Sequence, residues 1–221
     1  MQLEICASSF NSALAAKLGG AHRIELCSAL GVGGITPSAG LLHRVLSELD
    51  IETHVLIRPR DGDFCYHESE IEVMIHDIQY AKKAGAHGVV FGALTADYSL
   101  DITSLKRLAQ AAQGIQASFH KAFDQLTDPL KAFPALANLG IKRVLTSGSE
   151  ATAVAGLSNL ESWQQSFGDI LQIMPGGGIR PNNAALFIPG NFNSIHSAAI
   201  ASGAVETSQS LVRELKQIIT P

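Results

Sequence analysis

The chain has 221 residues, a formal net charge of −4 at pH 7, 46% hydrophobic residues and 16% charged residues. This length is enough for one substantial core, and the low charged fraction and mild acidity argue against a disordered chain, a coiled coil or a polybasic nucleic-acid-binding protein. Three cysteines are too few for a disulfide scaffold, and no apolar run approaches the roughly 20 residues that cross a bilayer, so we expect a cytoplasmic protein without nucleic-acid or membrane partners.

Strand-like and helical segments alternate along the whole chain. Gly20, Gly85 and Gly140 each follow a helical stretch and precede a β-branched strand, which is typical of the left-handed cap that ends a helix. Thr36-Pro37 and Asp128-Pro129 are predicted to begin two of the helices. The predicted strands span residues 2–6, 22–27, 53–58, 87–91, 115–120, 143–147, 170–174 and 193–197.

Eight strand–helix units in 221 residues leave roughly 28 residues for each unit, which is compact but suits a (β/α)8 barrel. A doubly wound open sheet is the alternative, but it usually has fewer strands. No linker or low-complexity segment interrupts the chain. We therefore predict an α/β fold, a TIM-type (β/α)8 barrel formed as a single domain by residues 1–221.

Several strands alternate apolar and polar residues, as in Leu3 and Ile5 against Glu4 and Cys6. The helices present Leu and Ile, so the polar face of each strand is predicted to point into the barrel. Some of these inward-facing residues are expected deep in the barrel, and we interpret them as a structural ion network. They are Arg23, His54 and Gln116. Polar residues at the carboxyl ends of the strands are better candidates for function, because active sites of this fold lie there. They are Glu25, Cys27, Arg58, Arg60, His120, Asp124, Ser147 and His196.

Two groups of residues at those strand ends suit an anion. Gly177 and Gly178 follow the seventh strand and Ser197 ends the eighth, where loops of this fold commonly bind phosphate. Arg58 and Arg60 end the third strand and suit a carboxylate or phosphate. Arg58 can equally pair with Glu4 or Glu25, whereas Arg60 lies further out and is the better candidate ligand.

The segment from His120 to Asp124 ends the fifth strand. A histidine beside acidic groups suits proton transfer near neutral pH, with Glu25 and His120 as proton carriers and Asp124 orienting the histidine. Lys121 directly follows His120, so in a strand its side chain would point to the opposite face. We therefore expect Lys121 to form a salt bridge outside the site.

Cys6 and Cys27 end neighbouring predicted strands on the same face. Adjacent strands lie about 4.8 Å apart, so the two thiols can approach each other, and soft thiolates favour Cu(I). Chemistry alone favours buried packing instead, because free cysteine is among the most buried residue types and two distant cysteines without a C-x-x-C spacing are a weak metal signal. Cys65 is a lone thiol in the loop after the third strand.

Seven stretches together resemble the copper homeostasis protein CutC family along most of the chain. They are Leu3-Glu4-Ile5-Cys6; Arg23-Ile24-Glu25-Leu26-Cys27; Gly33-Gly34-Ile35-Thr36-Pro37-Ser38; Ile57-Arg58-Pro59-Arg60 with Gly62-Asp63-Phe64-Cys65-Tyr66; Phe119-His120 with Ala122-Phe123-Asp124; Arg143-Val144-Leu145-Thr146-Ser147-Gly148; and His196-Ser197. The resemblance implies a cytoplasmic TIM-type barrel that assembles as a homo-oligomer, a dimer or tetramer, with Cys6 and Cys27 as the thiols for Cu(I). Lys121 stands where the family usually has arginine.

Two functions follow from these residues. The first is a copper homeostasis protein that binds Cu(I) between Cys6 and Cys27, with His120 or another side chain as third ligand. The second is a lyase, isomerase or hydrolase acting on a small anionic or sugar-like substrate. In that enzyme the substrate-binding residues are Glu4, Arg58, Arg60, Ser147, Gly177, Gly178, His196 and Ser197, and the catalytic residues are Glu25, His120 and Asp124.

Overall fold

A computed structural model describes residues 1–220, which form a nearly closed barrel of eight parallel strands surrounded by helices. The strands are β1 Gln2–Ala7, β2 Arg23–Leu26, β3 Glu52–Leu56, β4 Gly88–Phe91, β5 Gln116–Phe119, β6 Arg143–Thr146, β7 Gln172–Pro175 and β8 Ser194–Ser197. The helices are α1 Phe10–Gly19, α2 Ala39–Glu48, α3 Glu68–Ala84, α4 Ile102–Ala111, α5 Pro129–Asn138, α6 Leu157–Phe167, α7 Pro181–Ala184 and α8 Gln209–Ile219. The predicted TIM-type barrel is confirmed.

The strands pair in the order β7-β6-β5-β4-β3-β2-β1-β8, and every pairing is parallel. A single bridge between Gly176 and His196 joins the two ends of the sheet and closes the ring. The seam between β7 and β8 is therefore the least hydrogen-bonded junction of the barrel.

Local sequence explains how the helices begin and end. Gly20, Gly85 and Gly140 all have positive φ angles, and Gly20 and Gly85 cap α1 and α3. Asp128 caps α5 as predicted. The prediction for Thr36 is wrong, because Ser38 accepts the capping hydrogen bond of α2, whereas the Thr36 hydroxyl accepts one from the Arg58 backbone N–H.

The alternation along the strands separates an apolar layer from a polar axis. Leu3, Ile5 and Ile24 are fully buried in the core shared with the helices. The alternate residues Glu4, Arg23 and Glu25 are also buried, as the prediction of a polar interior requires.

Two of the predicted structural residues bind glutamate carboxylates, and the third does not. Arg23 pairs with Glu4, and His54 Nε2 lies 3.0 Å from Glu52 Oε1. Gln116 is exposed at the amino-terminal end of β5, because the barrel interior opens to solvent at that end. Within residues 1–220, no helix combines the length and apolarity that a membrane crossing demands.

We predict that Gly88→Ala destabilises the protein by about 1–3 kcal/mol, since overpacking a barrel interior displaces side chains or backbone. A methyl group at Gly88 would meet His54 ring atoms at 2.7 Å and the Gln116 carbonyl oxygen at 2.9 Å. Gly40→Ala is the matched control, because a methyl group at Gly40 would meet no atom outside its own helix, α2, within 4 Å. Urea unfolding measures both; equal free energies of unfolding for the two variants would contradict this packing.

Candidate metal and ligand site at the barrel mouth

A pocket of about 560 Å³ opens at the carboxyl ends of the strands. Its volume is in the range of small-molecule sites. Most of the residues predicted from the sequence line it: Cys6, Glu25, Arg58, His120, Asp124, Ser147, Gly177, Gly178, His196 and Ser197. The barrel thus brings together residues that are up to 191 positions apart between Cys6 and Ser197.

Glu4 lies beneath this pocket and holds several charges in place. Its carboxylate pairs with Arg23, and its Oε1 lies 2.7 Å from His196 Nδ1. Arg143 Nη1 lies 4.0 Å from the other oxygen. Burial alone would raise the pKa of Glu4, but the charges of Arg23 and His196 and the His196 hydrogen bond bring it well below its usual value. Glu4 is therefore an ionised structural group below the pocket and not a lining residue.

Cys6, Glu25 and His196 form a compact group of possible metal ligands. One ligand atom from each lies within 4.8 Å of the others. The strand register explains this, since Cys6 is paired with Glu25, and Glu4, two residues before Cys6, is paired with His196. His196 Nε2 lies 3.8 Å from Glu25 Oε2.

Electrostatics in this group reflect its burial. Burial raises the pKa of Glu25 to about 7, despite the lowering effect of His196. Burial alone would lower the pKa of His196, but its hydrogen bond to Glu4 and the charge of Glu25 together raise it. Hydrogen bonding to Cys27, together with burial, raises the pKa of the Cys6 thiol well above its usual value. A metal ion binding here would have to displace protons.

The two cysteines predicted as copper ligands are in contact. Cys6 Sγ lies 3.5 Å from Cys27 Sγ, and neither forms a disulfide. Cys6 lines the pocket, whereas Cys27 is fully buried and Gly34 lies above it. Both also pack against Leu56 and Val90, so the packing role is realised as well. A soft ion entering from the pocket would meet Cys6 first.

His120 is buried beside the pocket and its tautomer follows from its contacts. Its Nδ1 accepts a hydrogen bond from the backbone N–H of Ala122 at 3.2 Å, so the proton of the neutral ring is on Nε2. Burial and the nearby charge of Arg58 lower the pKa of His120 to about 3. Within residues 1–220, its Nε2 has no hydrogen-bond partner. His120 is thus a neutral donor and is poorly suited to carry protons near pH 7 or to ligate a metal through Nε2.

Asp124 does not orient His120, contrary to the prediction. Its carboxylate instead accepts hydrogen bonds from Thr146, from the Ser147 backbone N–H and hydroxyl, and from the Ser149 backbone N–H. Lys121 Nζ also donates to it at 2.6 Å. Asp124 therefore fixes the loop after β6.

Lys121 forms the predicted salt bridge, with Asp124, but it lies at the pocket and not outside it, so the predicted position is wrong. Its Nζ donates to Asp124 Oδ2 at 2.6 Å and to Ser147 Oγ at 2.7 Å. The strand ends at Phe119, and a 3-10 turn, Lys121–Gln125, begins directly after His120. Alternation applies only within a strand, so it could not place this side chain.

Arg58 and Arg60 have different environments. Arg58 lines the pocket and donates to three backbone carbonyls, so neither Glu4 nor Glu25 is its partner. Arg60, expected to be the better ligand, does not line the pocket. Its guanidinium binds Glu70 Oε1 at 2.6 Å and Asp63 Oδ1 at 2.9 Å, which holds it on the outer side of the loop.

The loops after β7 and β8 meet at the pocket. Ser197 Oγ donates to the Ile179 carbonyl and accepts from the Ala199 N–H, so it ties the two loops together. Gly177 lies so close to Lys121 that a methyl group on Gly177 would be 3.3 Å from Lys121 Nζ. Phe64, which the sequence reasoning missed, packs against His120 with 4.8 Å between ring centroids. Its position in a loop left no periodic signal.

The fold and the site define a class of protein. It is a TIM-type barrel whose mouth holds a pair of thiols, a histidine bound by a carboxylate, and a small-molecule pocket. A family model described as the CutC family matches residues 1–201. The chain therefore belongs to the CutC family.

Named relatives agree with this assignment. A CutC family protein of Histophilus somni is 44% identical over 184 residues, which cover 83% of this chain and 76% of that protein. The copper homeostasis protein cutC homolog of Homo sapiens is 44% identical over 189 residues, covering 86% of this chain and 69% of the human protein. The crystal structure of a CutC protein from Streptococcus agalactiae superposes with a TM-score of 0.84 at 30% identity, covering 90% of this chain and 98% of that one.

We predict that His120 stays neutral with its proton on Nε2 at pH 5.5, where an ordinary histidine with a pKa near 6.5 is mostly protonated. Its folded-state pKa is below that of the unfolded chain, so His120 makes stability fall as the pH drops below about 6.5. Imidazole 15N NMR of the folded protein measures the tautomer, with the exposed His43 as internal reference. A protonated His120 ring at pH 5.5 would contradict this placement.

Proposed function

We propose that the protein is a copper homeostasis protein that binds Cu(I) through Cys6 and Cys27, with His196 as the third ligand. The observation that carries this proposal is the pair of thiols at 3.5 Å, beside a histidine already held by a carboxylate. The name of the human relative, a copper homeostasis protein cutC homolog, supports the link to copper.

The chemistry of the donors fits Cu(I). Two thiolates and one imidazole are soft or intermediate ligands, which Cu(I) prefers over the oxygen donors that suit harder ions. Glu25 is the hard donor beside them, and the observed group of Cys6, Glu25 and His196 offers one sulfur, one oxygen and one nitrogen atom, a donor set that also suits Zn²⁺. Zinc is therefore the competing metal in any test.

His196 replaces His120 as the proposed third ligand. His196 Nδ1 is bound to Glu4, which leaves Nε2 on the side of Glu25. A carboxylate that holds the far nitrogen of a metal-binding histidine fixes the ring and makes the near nitrogen more basic. His120 has the opposite arrangement, since its Nδ1 accepts a backbone hydrogen bond and Nε2 carries the proton.

We infer on family grounds that the protein works in the cytoplasm as a homo-oligomer, a dimer or tetramer. The three free thiols are compatible with a reducing compartment, and thiolate binding of Cu(I) needs one. The acid–base enzyme has less support, because Asp124 does not contact His120 and burial keeps the His120 ring neutral.

We expect the Cys6→Ser/Cys27→Ser double variant to bind Cu(I) at least about 100-fold more weakly, because a hydroxyl is a poor ligand for a soft ion. Competition with a chromophoric Cu(I) chelator under reducing conditions measures the affinity. Cys65→Ser is the matched control and should bind as the parent does, since Cys65 neither lines the pocket nor belongs to the cluster in which Cys6 and Cys27 pack. Unchanged affinity in a folded double variant, or a clear preference of the parent for Zn²⁺, would refute the proposal.

We expect His196→Gln to weaken Cu(I) binding by about 10- to 100-fold and His120→Gln to leave it unchanged, because His196 and not His120 is the proposed ligand. The same competition assay measures both, and circular dichroism verifies that each variant is folded. The reverse order of effects would show that His120 is the third ligand.

A further inference from the structure

Arg58 is a buried cation without an acidic partner. Its side chain is 5% exposed, and its Nη atoms donate to the carbonyl oxygens of Val32, Gly34 and Gly62 at 2.8–2.9 Å. Its Nε atom has no partner, and no carboxylate of residues 1–220 lies within 4.0 Å of its nitrogens. Neutral carbonyls accept three of its five protons but do not offset its charge, and an uncompensated buried charge is costly.

A second unpartnered donor lies close to Arg58. His120 is 5% exposed, and its Nε2–H has no hydrogen-bond acceptor among the residues that the structure describes. Phe64 packs against both residues, with the Arg58 guanidinium 5.0 Å from its ring centroid and the His120 ring centroid at 4.8 Å. Phe64 thus contacts both members of the pair, and all three residues line the pocket.

Lys121 supplies a further cation on the same side of the mouth. Its ammonium group has three donors, of which Asp124 and Ser147 accept two. Its side chain is 43% exposed and it lines the pocket. Cationic donors therefore approach the pocket from the ends of β3 and β5, whereas the thiols lie on β1 and just after β2.

We propose that this pocket binds a compact organic anion, whose carboxylate or phosphate group lies between Arg58 and Lys121 and whose oxygen accepts the His120 Nε2–H. The anion would supply a negative charge that offsets the positive charge of Arg58, and an oxygen atom that accepts the hydrogen bond of the His120 Nε2–H. A pocket of about 560 Å³ accommodates a molecule of metabolite size. This site uses none of the proposed copper ligands, so it is a second function of the mouth and does not depend on the metal.

Isothermal titration calorimetry at constant ionic strength tests the proposal with four probes. Inorganic phosphate and pyruvate separate phosphate from carboxylate recognition, phosphoenolpyruvate carries both groups, and glycerol is the uncharged control. We expect at least one of the three anions to bind with a dissociation constant below about 10 mM and glycerol not to bind in that range. Absence of binding by all three anions would overturn the proposal.

Variants assign the binding to the pocket. Arg58→Gln should weaken anion binding by at least about tenfold, whereas Arg60→Gln, which removes an arginine two positions away but outside the pocket, should stay within about twofold of the parent. His120→Phe and Lys121→Gln provide the same test if Arg58→Gln does not fold. Equal effects of Arg60→Gln and of the pocket variants would overturn the proposal, because the binding would then be non-specific attraction to positive charge.

The double cysteine variant separates this proposal from copper binding. We expect the Cys6→Ser/Cys27→Ser protein to lose Cu(I) and to retain its affinity for the anion. In 15N NMR of the parent, the anion should shift the His120 Nε2–H resonance and leave that of His43 in place. A probe that binds without moving the His120 resonance would overturn the assignment of His120 as the oxygen-binding donor.

Discussion

The buried carboxylate of Glu4 is the interaction on which the polar interior depends. A charge that is 1% exposed inside a barrel is tolerated only when cations surround it, and Arg23, His196 and Arg143 do so. The same carboxylate fixes the ring of His196 and so determines which nitrogen faces the mouth. The position of the proposed metal ligand is therefore set one layer below the pocket, by a cluster of charged residues centred on the buried Glu4 carboxylate.

Alternation along short strands made the architecture predictable. Glu4 and Cys6 on β1, and Arg23 and Glu25 on β2, share one face because side chains of a strand alternate, and eight such strands fit the chain length. Contact between Cys6 and Cys27 followed from the same reasoning, since both occupy the inward parity of adjacent strands. Family resemblance added the link to copper, which parity alone does not provide.

Residues just beyond the strand ends were not predictable in this way. Lys121 enters the pocket because a 3-10 turn replaces the strand, and Arg60 leaves it because Glu70 and Asp63 bind its guanidinium. Asp124 and His120 lie four positions apart but bind different partners, so proximity in sequence was a poor guide. At the other end of the barrel, Gln116 has the strand position of an inward-facing residue, but it is exposed. Alternation along a strand therefore does not predict burial at the strand ends.

The seam of the barrel gives the proposed copper site a mechanical role. His196 forms the single bridge that joins β8 to the β7 end, and it also lies beside Cys6 and Glu25. A metal ion bound by His196, Cys6 and Cys27 would connect β8 to β1 and to the segment after β2. This connection would lie beside the junction that has the fewest backbone hydrogen bonds. Metal binding would then be coupled to the stability of the junction between β7 and β8. Without the metal, the barrel would open first at this junction.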